Sequence, residues 1–102
     1  MTIRLLNLAL SDLRDGFDFY ERQSPGVGTY FRETMFSDID SLCLFPGMHR
    51  KVGGFHKLLS RRFPYAIYYE MTSGVIEIWR ILDNRRDPAW IRRELKQSRS
   101  AR

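Results

Sequence analysis

The stretch SRRFPYAIYYEMTSGVIEIWRILDNRRDP, from Ser60 to Pro88, decides the fold. Two runs within it, Tyr65 to Met71 and Val75 to Leu82, are rich in β-branched and aromatic residues, which favours strands. The Ser73-Gly74 pair between them fits a two-residue hairpin turn. That turn predicts the cross-strand pairs Met71 with Ile76, Tyr69 with Ile78, Ile67 with Arg80, and Tyr65 with Leu82.

This register divides the side chains of the hairpin between two faces of a sheet. One face is nearly all apolar and is expected to cover helices. Its exception, Arg80, is expected either to extend its charged end to solvent or to pair with an acid of the first helix, such as Asp12 or Asp15. We expect Trp79 to lie on the opposite face and to be at least partly accessible to solvent. The side chains predicted on that opposite face are Tyr68, Trp79, Ile81 and Asp83.

Helical periodicity predicts two helices before the hairpin. The first runs from Ala9 to Gln23. Ser24 and Pro25 fit the N-cap and first position of the second helix, and Pro46-Gly47 stops it. Two helices with so short a break indicate a helical hairpin.

The remaining segments complete an α+β domain. Thr2 to Leu6 and Val52 to Leu59 are predicted strands, and Asp87-Pro88 predicts the start of a third helix. The order is therefore β-α-α-β-β-β-α, with the helical hairpin packed on one face of a largely antiparallel sheet. We expect one domain over residues 1–95 and a frayed basic tail over residues 96–102.

Composition narrows the classes of function. The 102 residues carry a formal net charge of +5, which favours nucleic acid, an anionic membrane or an acidic protein as partner. The single cysteine, Cys43, and the two histidines fit no disulfide or metal pattern, so neither metal nor cofactor is predicted. The apolar run at the N-terminus is too short for a signal peptide or membrane span, so we expect a cytoplasmic protein without membrane contact.

Four segments occur in an order and at spacings that carry a resemblance. They are FYERQSPGVGTYF (19–31), FPG (45–47), RRFPYAIYYE (61–70) and ILDNRRDP (81–88). With these segments the chain resembles the RelE/ParE superfamily, the toxins of bacterial type II toxin–antitoxin modules of the plasmid stabilisation type. The similarity runs from Ala9 to about Pro88.

The resemblance implies a growth-inhibiting toxin that a cognate antitoxin neutralises, in a toxin–antitoxin hetero-oligomer. It leaves the target open between DNA gyrase, as for ParE-like poisons, and ribosome-bound mRNA, as for RelE-like endoribonucleases. Whether the chain is an enzyme stays open with it. A plain nucleic-acid-binding module without toxicity is the alternative from another class.

Two arginine pairs flank the decisive hairpin and suggest a groove for an anionic target. A Ser60-Arg61 turn that pairs Leu58 with Phe63 would place Lys57 and Arg62 on the face of Trp79. The candidate catalytic residues are Lys57, Arg62 and Asp83. The candidate target-binding residues are Arg61, Tyr68, Trp79, Arg85 and Arg86. The alternative for the arginines is solvated surface with ion pairs to Asp83 and Asp87.

Departures from the family pattern argue against efficient RNA cleavage. Nuclease members resemble this chain in the cation near Arg62, but they often have His or Arg near the position of Asp83 and Tyr or His near the chain end. Beside Arg85 and Arg86, Asp83 should stay ionised and be a poor acid. Arg62 is expected to matter more for activity than Arg61, which the register places in a screened turn.

Overall fold

The computed structural model describes residues 1–100, which form three helices and one five-stranded sheet. The elements in chain order are β1 Thr2–Leu5, α1 Asn7–Gln23, α2 Val27–Ser41, β2 Lys51–Val52, β3 Phe55–Leu59, β4 Tyr65–Thr72, β5 Val75–Asp83 and α3 Pro88–Ser100. The sheet has the strand order β1-β5-β4-β3-β2, in which β1 is parallel to β5 and the other neighbours are antiparallel. The predicted α+β class with a largely antiparallel sheet is confirmed.

The predicted strand from Val52 to Leu59 is in fact two strands joined by a tight turn. Gly53 and Gly54 form this turn with φ angles of 60° and 86°, a region that residues with a Cβ rarely adopt. The sheet therefore has one strand more than the sequence predicted.

The β4–β5 hairpin turns at Ser73-Gly74 as predicted, and Met71 pairs with Ile76 and Tyr69 with Ile78. Beyond these pairs the predicted register is wrong, because β5 accommodates one extra residue, a β-bulge between Ile78 and Arg80. The observed pairs after the bulge are Tyr68 with Arg80, Ile67 with Ile81, Ala66 with Leu82 and Tyr65 with Asp83. Ile81 consequently faces α1 and α2, and Leu82 takes the opposite face.

Each face of the sheet has its own core. The α1–α2 face holds a large apolar cluster, with Phe31, Met35, Ile39, Ile67, Tyr69, Ile76, Ile78 and Ile81 among its buried members. The opposite face, which we call the α3 face, holds a smaller cluster of Phe55, Ala66, Tyr68, Trp79, Leu82, Ile91 and Leu95.

Arg80 joins the two cores through a nearly buried ion-pair cluster. Its guanidinium donates to the Asp12 carboxylate at 2.7 and 2.9 Å, as predicted, and also to Glu94 Oε1 at 3.2 Å and Ser98 Oγ at 3.1 Å. Asp12 Oδ2 further accepts the backbone N–H of Ile81 at 2.9 Å. The pairing of β1 with β5 ends at Ile78, so this hydrogen bond supplies the acceptor that the buried N–H of Ile81 needs.

The junction between α1 and α2 differs from the prediction. Ser24 caps the end of α1, and α2 begins at Val27 instead of Pro25. The carboxylate of Glu21 accepts the N–H groups of Gly26 and Gly28 at 3.0 and 2.9 Å. A side chain from α1 thus satisfies donors at the positive end of α2, the role predicted for Ser24.

Helix α3 begins as predicted, with Asp87 Oδ1 accepting the N–H of Ala89 at 3.1 Å. The predicted frayed tail is wrong for residues 96–100, which continue the helix and bury Ser98. Residues 101–102 of that tail lie outside the described residues. Within residues 1–100, no helix has the length and apolar character to cross a membrane.

Candidate functional site at the basic end of the sheet

The two arginine pairs lie on neighbouring loops. Arg61 and Arg62 belong to the β3–β4 loop, and Arg85 and Arg86 to the loop before α3. The N–H of Asn84 donates to the carbonyl of Pro64 at 2.7 Å, which ties the two loops together. We call the four arginines and these loops the basic end.

Arg62 does not lie on the face predicted for it. Leu58 pairs with Ile67, not with Phe63, and a five-residue loop of 60–64 replaces the expected two-residue turn. This loop carries Arg62 toward α2, where its guanidinium donates to the hydroxyl of Tyr30 at 2.8 Å. That hydrogen bond raises the pKa of Arg62 and orients its guanidinium, which is charged at neutral pH in any case.

Arg61 is exposed beside Arg62. Both line a shallow groove along α2 whose other members include Glu33, Thr34, Ser37 and Asp38. The groove is therefore of mixed charge. It is suited to holding the loop against α2, because Ser60 also donates to Asp38 at 2.7 Å.

Asp83 ends β5 in an ion pair with its own loop. Its carboxylate accepts Arg85 Nη2 at 2.8 Å and Nε at 3.1 Å, together with the Arg85 backbone N–H at 2.9 Å. The side-chain hydrogen bond from Arg85 is the main reason that the pKa of Asp83 lies below its ordinary value. The carboxylate is therefore ionised at neutral pH and has no proton to donate, as expected from its neighbours.

Arg86 stacks on Trp90 of α3, with its guanidinium carbon 3.8 Å from the ring centroid. The contact is a close cation–π interaction at the start of the helix. Arg86 also borders a cleft between α1 and β5, lined in part by Asp15, Phe19 and Tyr65. Burial is the main cause that raises the pKa of Tyr65 to about 12, so its phenol stays protonated.

Tyr68 and Trp79 lie on the face away from α1 and α2, as predicted for Trp79. The expectation that Trp79 would be accessible to solvent is wrong, because Tyr68 is 0% and Trp79 only 4% exposed. Ile91 and Leu95 of α3 belong to the same buried cluster. Both residues belong to the predicted third helix, but the sequence did not indicate that this helix packs on the face of Trp79.

Arg99, in the part of α3 that was expected to fray, completes the cover. Its guanidinium carbon lies 4.2 Å from the ring centroid of Phe55 and 5.4 Å from that of Trp79. It also donates to Glu70 Oε1 at 2.9 Å and to the carbonyl of Gly54 at 3.0 Å. The signal was present in the sequence as apolar residues at positions 91 and 95 followed by a small residue at 98.

The predicted site residues therefore form two groups and not one groove. Five of them stand at the basic end: Arg61, Arg62, Asp83, Arg85 and Arg86. The other three stand on or beside the covered α3 face: Lys57, Tyr68 and Trp79. Lys57 is half-buried and is paired with Tyr68 across β3 and β4. Within residues 1–100, no group of three or more metal-binding side chains is arranged to hold an ion.

A cluster around Tyr69 was not predicted. The Tyr69 ring stacks on His56 at 5.0 Å between centroids, and its hydroxyl lies 2.6 Å from Nδ1 of His49. Burial, followed by the proximity of His56, lowers the pKa of His49 below its ordinary value. Two histidines seven positions apart gave no signal in the sequence, because only the β2–β3 turn brings them together.

Comparisons with known proteins agree with this geometry. The family model described as "ParE toxin of type II toxin-antitoxin system, parDE" matches residues 3–88. Among solved structures, a chain described as "Chromosomal ParDE TA system from P. aeruginosa" has the same fold, with a TM-score of 0.71 and 22% identity. That match covers 79% of this chain and 92% of the other. A comparison with curated proteins gave no match. Since the family model spans most of its length, the chain belongs to the ParE toxin family of type II toxin–antitoxin systems.

Proposed function

We propose that this chain arrests growth, that a cognate antitoxin neutralises it, and that it acts as a ParE-like poison of DNA gyrase. Family membership supports the toxin role, and the similar solved structure is described as part of a ParDE system. The antitoxin would be an acidic, partly disordered protein that folds as it docks on this basic chain.

The observation that favours gyrase over mRNA as the target is the burial of Tyr68 and Trp79 under α3. RNA cleavage through the 2′-hydroxyl needs a proton acceptor, a proton donor and cations around the phosphate. Here the aromatic floor is buried, and Asp83 is ionised and bound to Arg85. This arrangement favours an inhibitor that acts by binding a protein.

The basic end is the part of the predicted site that stays available for a target. Arg61, Arg62, Arg85 and Arg86 are exposed, whereas Tyr68 and Trp79 are buried. We expect Arg62 to contribute more than Arg61, because the hydroxyl of Tyr30 orients its guanidinium. Arg61→Ala and Arg62→Ala, compared at matched protein levels, test that order. Arrest that is lost in Arg61→Ala and kept in Arg62→Ala would reverse it.

The deciding experiment induces the chain in bacteria with and without its antitoxin, then follows growth, plasmid supercoiling and the ends of ribosome-bound messages. We expect arrest with altered supercoiling, intact messages and rescue by the antitoxin. New message ends with unchanged supercoiling would replace the gyrase proposal with an mRNA interferase. Normal growth with folded protein present would contradict toxicity and favour a plain binding module.

A further inference from the structure

The loop between α2 and β2, residues 42–50, presents three large apolar side chains to solvent. Leu44, Phe45 and Met48 are 73%, 62% and 67% exposed, more than any other large hydrophobic residue within residues 2–100. We call these three side chains the apolar knob. Single exposed apolar residues are ordinary, but three within five positions form a patch of the kind that marks an interaction site.

The loop is fixed to the sheet at its centre. The hydroxyl of Tyr69 accepts the N–H of Gly47 at 3.2 Å and lies 2.6 Å from Nδ1 of His49. Nδ1 of His56 lies 2.6 Å from the carbonyl oxygen of His49. Gly47 has a φ of 77°, which directs the chain sharply back toward β2.

Both ends of the loop are fixed as well. Leu42 is fully buried in the core of the α1–α2 face at its beginning. At its end, the carbonyl of Arg50 accepts the N–H of Lys57 at 3.0 Å. The knob therefore projects from a loop whose backbone is attached to the sheet at its centre and at both ends.

The charge around the knob selects the class of partner. Arg50 and Lys51 follow the knob within three residues of Met48, and both are exposed. No acidic residue occurs in the sequence between Asp40 and Glu70, so residues 41–50 that carry the knob contain no negative charge. An acidic surface would be attracted here, whereas a second copy of the chain would be repelled.

We propose that the knob inserts into an apolar pocket with an acidic rim on the protein that this toxin inhibits. This inference rests on the proposed function, because it assigns the surface that reaches the target. Projecting side chains need a concave and therefore folded partner, whereas an extended antitoxin segment needs a groove or a sheet edge on the toxin. Nucleic acid fits less well, because only Phe45 of the three could stack on a base.

Cys43 makes the contact measurable. It is the single cysteine of the chain, it is exposed, and it precedes Leu44 directly. A bound partner that receives the knob will shield this thiol from alkylation. The rate of Cys43 alkylation in the unmodified chain, with purified DNA gyrase or with serum albumin as an unrelated acidic protein, therefore reports occupancy without any substitution.

The test compares the parent chain, a knob variant with Leu44→Ser, Phe45→Ser and Met48→Ser, and a control with Leu8→Gln and Leu10→Gln. The control removes exposed apolar side chains from α1. We expect the knob variant to need at least ~10-fold more protein to inhibit gyrase supercoiling, while the control matches the parent and both still bind the antitoxin. Gyrase, but not albumin, should slow alkylation of Cys43 by at least ~5-fold.

The outcomes separate this inference from the function on which it rests. If the parent leaves gyrase active, the proposed function fails and the partner assigned to the knob fails with it. If the parent inhibits and the knob variant inhibits equally, or Cys43 reacts unchanged with gyrase present, only the knob assignment is overturned. Loss of antitoxin binding by the knob variant would move the knob to the antitoxin interface.

Two further results would also overturn the proposal. In one, the parent binds vesicles of phosphatidylglycerol and phosphatidylethanolamine, the knob variant does not, and the two inhibit gyrase equally. This result would make the knob a membrane contact.

If the triple variant misfolds, Phe45→Ser replaces it, since Phe45 is largely exposed. Unchanged inhibition by this folded single variant, together with unprotected Cys43, would contradict the proposal.

Discussion

The two faces of the sheet are covered by different means. On the α1–α2 face, two helices of 17 and 15 residues bury a continuous apolar cluster with Phe31 among its fully buried members. On the α3 face, one helix of 13 residues buries only Ile91, Leu95 and Ser98 of its own. Its other contacts with the sheet include two ion pairs, Glu94 with Arg80 and Arg99 with Glu70. The guanidinium of Arg99 also lies over the ring of Phe55.

The difference assigns separate tasks to the two faces. Burial of apolar area is the main stabilising term in a domain of this size, so the α1–α2 face should carry most of the stability. The α3 face is covered by a helix with polar attachments, and these contribute less per contact because they exchange water for protein partners. The α3 face instead determines which side chains are accessible to a partner, because α3 buries Tyr68 and Trp79.

The largest effect is expected on the α1–α2 face from Phe31→Ala. Phe31 is fully buried, stacks on Tyr20 with centroids 5.2 Å apart, and fills the space left by the missing side chain of Gly16. Truncation of a buried Phe to Ala costs about 3–5 kcal/mol. Urea unfolding followed by far-UV circular dichroism measures it. A loss below about 1 kcal/mol would contradict the view that this face dominates stability.

The next effect comes from Asp12→Ala, which breaks the link between the faces. It leaves Arg80, whose side chain is 9% exposed, with Glu94 as its remaining acidic partner, and leaves the Ile81 N–H without its acceptor. Removal of one partner from a buried ion pair costs about 3 kcal/mol. Asp15→Ala is the matched control, because Asp15 is exposed on the same helix. Equal stability of the two variants would show that Arg80 is held by α3 alone.

Leu95→Ala tests whether α3 is what hides Trp79. Leu95 is fully buried, and we expect a loss of about 2.5 kcal/mol with a red-shifted, more readily quenched Trp79 emission. The measurement uses a Trp90→Phe background, so that Trp79 is the remaining tryptophan, with excitation selective for tryptophan. An unchanged emission maximum in a destabilised protein would mean that the cover of Trp79 does not depend on this contact.

Local signals in the sequence predicted what lies close along the chain. The Ser73-Gly74 turn and the Asp87 cap of α3 were predicted correctly, because turn chemistry and capping each have a local cause. The ion pair of Arg80 with Asp12 is one of the two outcomes predicted for Arg80, although the bulge pairs Arg80 with Tyr68 and not with Ile67 of the apolar face. The two cross-strand pairs nearest the turn were correct for the same reason.

The errors arise where tertiary packing decides. The bulge at Trp79 moves Ile81 to the core of the α1–α2 face and Leu82 to the α3 face, and no dipeptide signals that choice. α3 continues past Lys96 because Ser98 and Arg99 contact the sheet, and the basic, polar composition of that segment favoured a frayed tail over the helical spacing. Tyr68 and Trp79 therefore lie on the predicted face, which α3 covers, whereas Ile81 and Arg62 lie elsewhere.

Arg99→Met gives the smallest effect and tests the polar attachment of α3. The substitution keeps an apolar stem over Phe55 but removes the hydrogen bonds to Glu70 and Gly54 and the cation–π contact. Because Arg99 and Glu70 are partly exposed, we expect a loss of only about 0.5–1 kcal/mol.

Salt and a neighbouring arginine separate this attachment from general charge. Arg93→Met on the exposed side of α3 should change stability by less than about 0.3 kcal/mol. The difference between the two variants, measured by urea unfolding, should shrink from low salt to 1 M NaCl, where the Debye length falls to about 3 Å. A loss in Arg99→Met that is independent of salt would instead assign its contribution to the hydrogen bond with the Gly54 carbonyl and the ring contact with Phe55, and not to the ion pair with Glu70.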